Sequence, residues 1–148
     1  MKEVRGDVFD LIKGEFQVIC VTTNGFVKKN GECVMGRGIA QTVKRLFPHV
    51  PKKLGFLLKE YGNRVYILHK YEDGAILSFP VKHNWWEDAD IKLIKRSCDE
   101  LMAMLDKNVH ITKVLLPRPG CGNGKLSWDD VKPAIEPLLD DRVYVATF

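Results

Sequence analysis

The sequence lacks the features that would place it in a specialised structural class. It has four cysteines in 148 residues and no C-x-x-C pair, so we infer reduced thiols. No apolar run approaches the length of a membrane-spanning helix, and no repeat or low-complexity tract is present. Residues 1–10 are charged and contain no apolar core of a secretory signal. We therefore expect a cytoplasmic protein with no membrane partner.

The composition that remains is typical of one globular domain. A chain of 148 residues with 45% hydrophobic and 28% charged residues is long enough and apolar enough to form a core. A domain of this size buries about two-thirds of its unfolded surface and needs no metal or disulfide for support. The net charge of +4 suits an anionic ligand or weak contact with nucleic acid. We expect a single domain over residues 1–148, and a monomer.

Strand-like and helix-like patterns alternate along most of the chain. Helices are predicted from Gly38 to Pro48, over 51–61 and 87–106, and from the capping residue Ser127 onward. Strands are predicted over residues 1–5, 16–21, 64–69, 75–80, 111–117 and 142–148. This order predicts an α/β protein with three layers, in which helices cover both faces of a mixed, largely parallel sheet. Ligands of such sheets bind beyond the carboxyl ends of the strands, so the loops that follow strands are the candidate sites.

Two of these loops are rich in glycine and precede predicted helices. They contain Gly36-Arg37-Gly38 and the segment from Pro117 to Gly124. Glycine lets the backbone approach a ligand closely, and a helix N-terminus offers free N–H groups, so two such loops could hold a pyrophosphate. Neither is a standard nucleotide motif, because Gln41 replaces the third glycine of the dinucleotide fingerprint and Leu126 follows Lys125. Each loop alone is more typical of a tight turn than of a ligand site, but two loops in equivalent positions favour a ligand.

The motifs taken in order resemble a macro domain over nearly the whole chain. They are Gly6-Asp7-Val8, then Val21-Thr22-Thr23-Asn24, then the segment from Val34 to Ala40, and finally the segment from Gly120 to Trp128. The segment from Phe79 to Trp85 resembles the branch that contains the antitoxins removing ADP-ribose from thymidine in DNA. The glutamate-specific ADP-ribosyl-protein hydrolase is similar as well.

The resemblance implies a binding site for ADP-ribose. Asp7 would accept a hydrogen bond from the adenine amino group beside Val8, and Asn24 would bind the distal ribose. The two glycine loops would hold the phosphates, and Lys82 with Asn24 would carry the chemistry. The implied ligand-binding residues are Asp7, Val8, Asn24, Val34, Met35, Gly36, Arg37, Gly38, Pro117, Arg118, Gly120, Cys121, Gly122, Asn123 and Gly124.

Lys82 admits two catalytic roles and one ordinary one. Partial desolvation would lower its pKa and make it a nucleophile at the anomeric carbon. Alternatively, it would stay charged and stabilise the leaving group. A lone lysine is otherwise most often a solvated charge. In the glutamate-specific hydrolase the lysine is paired with an aspartate, but that position is Gly124 here, so we expect Lys82 to act without a dyad.

Two further features distinguish the chain from the macro domains that it resembles. Val21-Thr22-Thr23-Asn24 stands where Asn-Ala-Ala-Asn is common, so Asn24 alone carries over. Residues 25–33 are extra relative to the antitoxins, which could reshape the distal ribose pocket and change the substrate.

Several other residues have ordinary explanations. Asp7 and the Asn24-Gly25 pair are common turn residues. Trp85 and Trp86 could stack on a base, but we expect at least one to pack as core under the long helix. Cys121 is interpreted as a packing residue, and Lys28 with Lys29 as a solvated loop. The four histidines lack metal-ligand spacing, so no metal and no cofactor are predicted.

Three functional hypotheses follow, in this order. The first is an ADP-ribosyl hydrolase acting on modified protein or nucleic acid. The second, an ADP-ribose 1″-phosphate phosphatase, rests on analogy of fold. The third is a module that binds ADP-ribose without chemistry.

Overall fold

A computed structural model describes all residues, Met1–Phe148. One six-stranded sheet runs through the molecule in the order β1-β6-β5-β2-β4-β3. Every neighbouring pair is parallel except β3 and β4, which are antiparallel. The strands are β1 (Lys2–Arg5), β2 (Val18–Asn24), β3 (Ile67–Lys70), β4 (Ala75–Lys82), β5 (Val114–Pro117) and β6 (Val143–Thr147).

Helices cover both faces of this sheet. They are α1 (Val8–Ile12), α2 (Gly38–Leu46), α3 (Val50–Tyr61), α4 (Ile91–Asp106) and α5 (Trp128–Ile135), and a 3-10 turn (Glu136–Leu138) follows α5. The apolar residues of α4 and α5 pack on one face, and those of α2 and α3 pack on the other. The predicted three-layer α/β/α fold with a mixed, largely parallel sheet is confirmed. No helix combines the length and the apolar character that crossing a membrane would require.

Strand β2 shows how the sequence separates the two layers. Val18 and Cys20 point into the core beneath α4, whereas Ile19 and Val21 point into the core beneath α2 and α3. All four are buried because a central parallel strand has a helix layer on each side. This explains why β2 has a continuous apolar pattern instead of an alternating one.

Some predicted boundaries were wrong, and local hydrogen bonds explain why. Helix α4 begins at Ile91 and not at residue 87, because the Asp90 carboxylate accepts the Lys92 N–H and caps the helix there. Glu87 and Asp88 therefore lie in the preceding turn. Helix α1 was not predicted, since its five residues are too few to show a helical period.

The topology leaves a gap between β2 and β5. From β2 the chain crosses through α2 and α3 towards β4, and from β4 it returns through α4 to β5 on the opposite side of β2. Strands β2 and β5 pair only at Val18–Val114 and Ile19–Leu115, so their carboxyl ends diverge. Such a switch in strand order is where open α/β sheets bind ligands.

Candidate functional site

A cleft of about 1120 Å³ lies at the carboxyl ends of β2, β4 and β5. Lys82, Asn24 and both glycine loops line it, so every predicted site residue except Asp7 and Val8 comes together there. The residues that line the cleft as predicted are Asn24, Val34, Met35, Gly36, Arg37, Gly38, Lys82, Pro117, Arg118, Gly120, Cys121, Gly122, Asn123 and Gly124.

The two glycine loops approach each other across the cleft. A Cβ atom built on Gly38 would lie 4.0 Å from the Asn123 amide nitrogen. Gly38 opens α2 with a φ of 59°, and no side chain caps this helix, so its first-turn N–H groups lack a side-chain partner. In the loop from Pro117 to Gly124 the backbone N–H groups of Gly122 and Asn123 donate to no protein acceptor. Uncapped N–H donors on both loops make the cleft suitable for an anion.

Glycines in these loops serve two different purposes. A Cβ on Gly36 or Gly122 would meet nothing within 4 Å, so these residues leave space in the cleft. In contrast, a Cβ on Gly124 would lie 2.5 Å from the Gly120 carbonyl oxygen and 2.8 Å from the Ala89 Cβ. Gly120 has a φ of 77°, which favours glycine. The loop from Pro117 to Gly124 is therefore folded tightly on itself at Gly120 and Gly124 and open at Gly122.

Asn24 lies in the cleft, and its side chain is already engaged by the protein. Its amide nitrogen donates to the Val34 carbonyl at 3.0 Å, and its Oδ1 accepts the Phe26 N–H at 3.0 Å. The first contact spans the loop, and the second forms a local turn. Oδ1 also accepts a weak contact from the Cys33 thiol at 3.9 Å. One amide hydrogen remains for a ligand, and the contact of Asn24 with the distal ribose stays a prediction.

Asp7 and Val8 do not line the cleft. The Asp7 carboxylate caps α1 by accepting the Phe9 N–H at 2.9 Å and the Asp10 N–H at 3.4 Å. The neighbouring Gly6 N–H donates to the carbonyl of Thr147, a cleft residue, at 3.1 Å. Asp7 is thus placed just beyond the rim, where its exposed carboxylate has acceptor capacity left.

Lys82 is the last residue of β4, and its half-buried side chain enters the cleft. Its Nζ donates to the Trp85 carbonyl at 3.3 Å. Desolvation lowers the pKa of Lys82, and the cationic Lys125 and Arg37 lower it further, whereas Asp88 opposes the shift. The environment therefore favours the neutral amine more than water does.

The expectation that a tryptophan packs under the long helix was wrong. Trp85 and Trp86 are 51% and 58% exposed, and both line the cleft. Both tryptophans lie in the turn before Asp90, outside the core beneath α4. The buried side chains of α4 pack against residues of the sheet instead. Trp86 instead contacts Phe26 edge to face, with ring centroids 5.2 Å apart.

Burial makes the cysteines poor candidates for a nucleophile. Cys121 lines the cleft but packs against the core, and burial raises the pKa of its thiol. Burial likewise raises the pKa of Cys98 to about 12 and that of Cys20 further still. A thiol whose pKa is raised is a poor nucleophile near neutral pH.

Several cleft residues were not predicted from the sequence. Thr23 is 5% exposed, and its hydroxyl oxygen is buried without a hydrogen-bond partner. Lys125 adopts a φ of 64°, which is uncommon for a residue other than glycine. Thr147 and Phe148 reach the cleft from β6. The signal for Lys125 was its place directly after a glycine loop, whereas nothing local in the sequence marks Thr147.

No family model matches the chain. The chain is 26% identical over 113 residues to a protein of Thermus aquaticus named DNA ADP-ribosyl glycohydrolase. This alignment covers 72% of this chain and 31% of that protein. It is 27% identical over 148 residues to the bovine (Bos taurus) ADP-ribose glycohydrolase OARD1, covering 97% of this chain and 89% of that protein. The chain thus spans about a third of the length of the Thermus aquaticus protein and most of OARD1.

Two solved structures are similar over most of the chain. The macrodomain of Mycobacterium tuberculosis DarG superposes with a TM-score of 0.77 at 25% identity, covering 99% of this chain and 97% of that chain. Thermosipho africanus DarTG, solved in complex with ADP-ribose, gives 0.73 at 26% identity, covering 88% of this chain and 38% of that chain. These likenesses extend over most of the chain, which therefore has the fold of a macro domain.

Proposed function

We propose that this protein binds ADP-ribose and hydrolyses ADP-ribosyl linkages on a modified macromolecule. The observation that carries the proposal is the convergence of two glycine loops and Lys82 on one cleft. The names of its relatives, DNA ADP-ribosyl glycohydrolase and ADP-ribose glycohydrolase, are consistent with it.

The diphosphate belongs between the two glycine loops. The N–H groups at the start of α2 and those of Gly122 and Asn123 are free to donate to phosphate oxygens. Arg37 lines the same part of the cleft and adds positive charge. Adenine then extends towards Asp7 and the end of β6, and the distal ribose extends towards Asn24 and Lys82.

In this proposal Lys82 acts at the anomeric carbon of the distal ribose. In its neutral form the amine attacks this carbon, the bond to the leaving group breaks, and the leaving group takes up a proton. Water then cleaves the bond between lysine and sugar, which releases ADP-ribose and restores the amine. The sum is one water consumed for each linkage cleaved. Desolvation of Lys82 supports the nucleophilic role over the purely electrostatic one.

Calorimetric titration with ADP-ribose tests the first half of the proposal, since hydrolysis by this site requires binding. The second half is tested by incubating the protein with an oligonucleotide ADP-ribosylated on a base and with a peptide ADP-ribosylated on glutamate. Release of ADP-ribose from either substrate is expected. Failure to bind ADP-ribose would refute the proposal altogether.

The same preparation separates the two alternative functions. Phosphate release from ADP-ribose 1″-phosphate, without turnover of the macromolecular substrates, would identify a phosphatase. Binding of ADP-ribose without turnover of any of the three substrates would identify a binding module. Inactivity of Lys82→Met, with binding retained, would assign any hydrolysis observed to this cleft.

A further inference from the structure

Three aromatic side chains form an exposed wall on one side of the cleft. This aromatic wall consists of Phe26, Trp85 and Trp86, and all three line the cleft. The two tryptophans expose about half of their surface, 51% and 58%. Large aromatic residues grouped at a concave site are a common mark of ligand contact, because their exposure to water is unfavourable.

The wall is held in place by contacts among its own rings and by the backbone. The Trp86 ring lies 5.2 Å from Phe26 and 5.6 Å from Trp85 between centroids, both edge to face. The Gly25 N–H donates to the His83 carbonyl at 3.0 Å, which ties the loop carrying Phe26 to the loop carrying the tryptophans. A wall ordered before binding loses little conformational entropy when a ligand stacks on it.

The wall lies next to the proposed nucleophile. The Lys82 Nζ donates to the carbonyl of Trp85 itself, at 3.3 Å. If Lys82 attacks the anomeric carbon, the group attached to that carbon has to leave from the region around this lysine. The cleft, at about 1120 Å³, is also slightly larger than the roughly 300–1,000 Å³ usual for small-molecule sites, which leaves room for an attached group.

We propose that the aromatic wall stacks the nucleobase that carries ADP-ribose in a single-stranded nucleic acid and thereby selects this substrate over modified protein. This inference rests on the proposed function. A nucleobase has a flat face that stacks on tryptophan, whereas a glutamate side chain has none. The wall therefore fits a base better than a modified acidic residue.

The charge of the cleft also suits a nucleic acid. Five lysine and arginine side chains and two acidic side chains line it, and with Lys82 neutral the net charge is +2, which balances a diphosphate. In the loop that carries Phe26, Lys28 pairs with Glu32 at 3.7 Å, whereas the exposed Lys29 forms no ion pair. Lys29 is thus left near the wall for the phosphates that flank the modified base.

The test compares two substrates on variants of the wall. Trp85→Ala and Trp86→Ala are assayed on the single-stranded oligonucleotide ADP-ribosylated on a base and on the peptide ADP-ribosylated on glutamate. The matched control is Phe56→Ala, since Phe56 is 58% exposed on α3 and does not line the cleft. Trp86→Phe keeps an aromatic face, and circular dichroism checks the fold of each variant.

We expect kcat/KM on the oligonucleotide to fall roughly 5- to 100-fold in Trp85→Ala or Trp86→Ala, the effect of losing one base–aromatic stack. Trp86→Phe should restore most of the rate. Turnover of the peptide, the affinity for free ADP-ribose and every property of Phe56→Ala should stay within about twofold of the parent protein, because no stacking contact is removed.

Other outcomes overturn the inference. An equal loss on both substrates would mean that the wall supports the cleft generally, and an unchanged rate on the oligonucleotide would mean that it stacks nothing. Turnover of the peptide alone would assign the site to modified protein. If ADP-ribose binds neither to the parent protein nor to any variant, the proposed function itself fails. Calorimetry with free ADP-ribose reveals this outcome separately.

Discussion

The side-chain amide of Asn24 donates to the carbonyl of Val34 at 3.0 Å, and this bond closes the loop of residues 25–33. Asn24 ends β2, and Val34 lies just before Met35 and Gly36. The sulfur of Cys33 adds a weak contact to the Asn24 carbonyl at 3.5 Å. The position of Gly36 and Gly38 therefore depends on a side chain that was predicted to contact ribose.

Asn24→Ala should lower both stability and affinity. It removes the hydrogen bonds to Val34 and Phe26, so the free energy of unfolding should fall by about 1–3 kcal/mol. Affinity for ADP-ribose should fall with it, because the glycine loop loses its anchor. Thermal unfolding and calorimetry measure the two effects. The exposed Asn30, on the same loop but outside the cleft, provides the control Asn30→Ala. Lost affinity with unchanged stability would instead indicate a purely direct contact with ligand.

Lys82→Met should retain ADP-ribose binding and lose about 100-fold or more in turnover. For the parent protein, turnover should rise with pH, because the neutral amine exists above the pKa of Lys82. Since desolvation lowers this pKa below the ordinary 10.5, the rise should level off below that pH. A rate that falls as the pH passes through this pKa would indicate the electrostatic role instead. Lys52→Met, on the exposed side of α3, is the matched control.

Gly36→Ala should mainly weaken binding, whereas Gly124→Ala should mainly lower stability. At Gly36 the added methyl group meets no protein atom within 4 Å, so stability should change by less than about 0.5 kcal/mol. Affinity for ADP-ribose should fall by roughly tenfold, since the methyl group occupies space where phosphate approaches. At Gly124 the Cβ would lie 2.5 Å from a backbone oxygen, and stability should fall by roughly 1–3 kcal/mol. Normal affinity in Gly36→Ala would place the phosphates elsewhere.

Asp7→Ser separates the two roles of this residue. Serine caps a helix about as well as aspartate, so the unfolding temperature should be nearly unchanged. Serine has no carboxylate, so affinity for ADP-ribose should fall by about tenfold through the lost charge-assisted bond to adenine. Unchanged affinity, measured by calorimetry, would limit Asp7 to capping α1.

Much of the fold was predictable because local patterns and the packing of layers agree. Helix α3 begins one residue before the predicted position, with Pro51 in its first turn, and Pro48 follows α2 closely, as expected. The start of α4 was misplaced because Asp90 competes with earlier acidic residues for the cap, and sequence alone does not rank them. The exposed positions of Trp85 and Trp86 were missed because hydrophobicity predicts burial, and burial depends on neighbours distant in sequence.

The sequence by itself determined the alternation of strands and helices, the two glycine loops and the lysine at the end of a strand, because each depends on neighbouring residues. Tertiary structure decided which of these meet. Gly38 and Asn123 are distant in the chain, and they face each other because β2 and β5 pair over two residues and then diverge. The exposure of the aromatic wall, the engagement of Asn24 with Val34 and the desolvation of Lys82 likewise arise from contacts between separate segments. Such contacts form only when the layers pack, so local sequence preference cannot specify them.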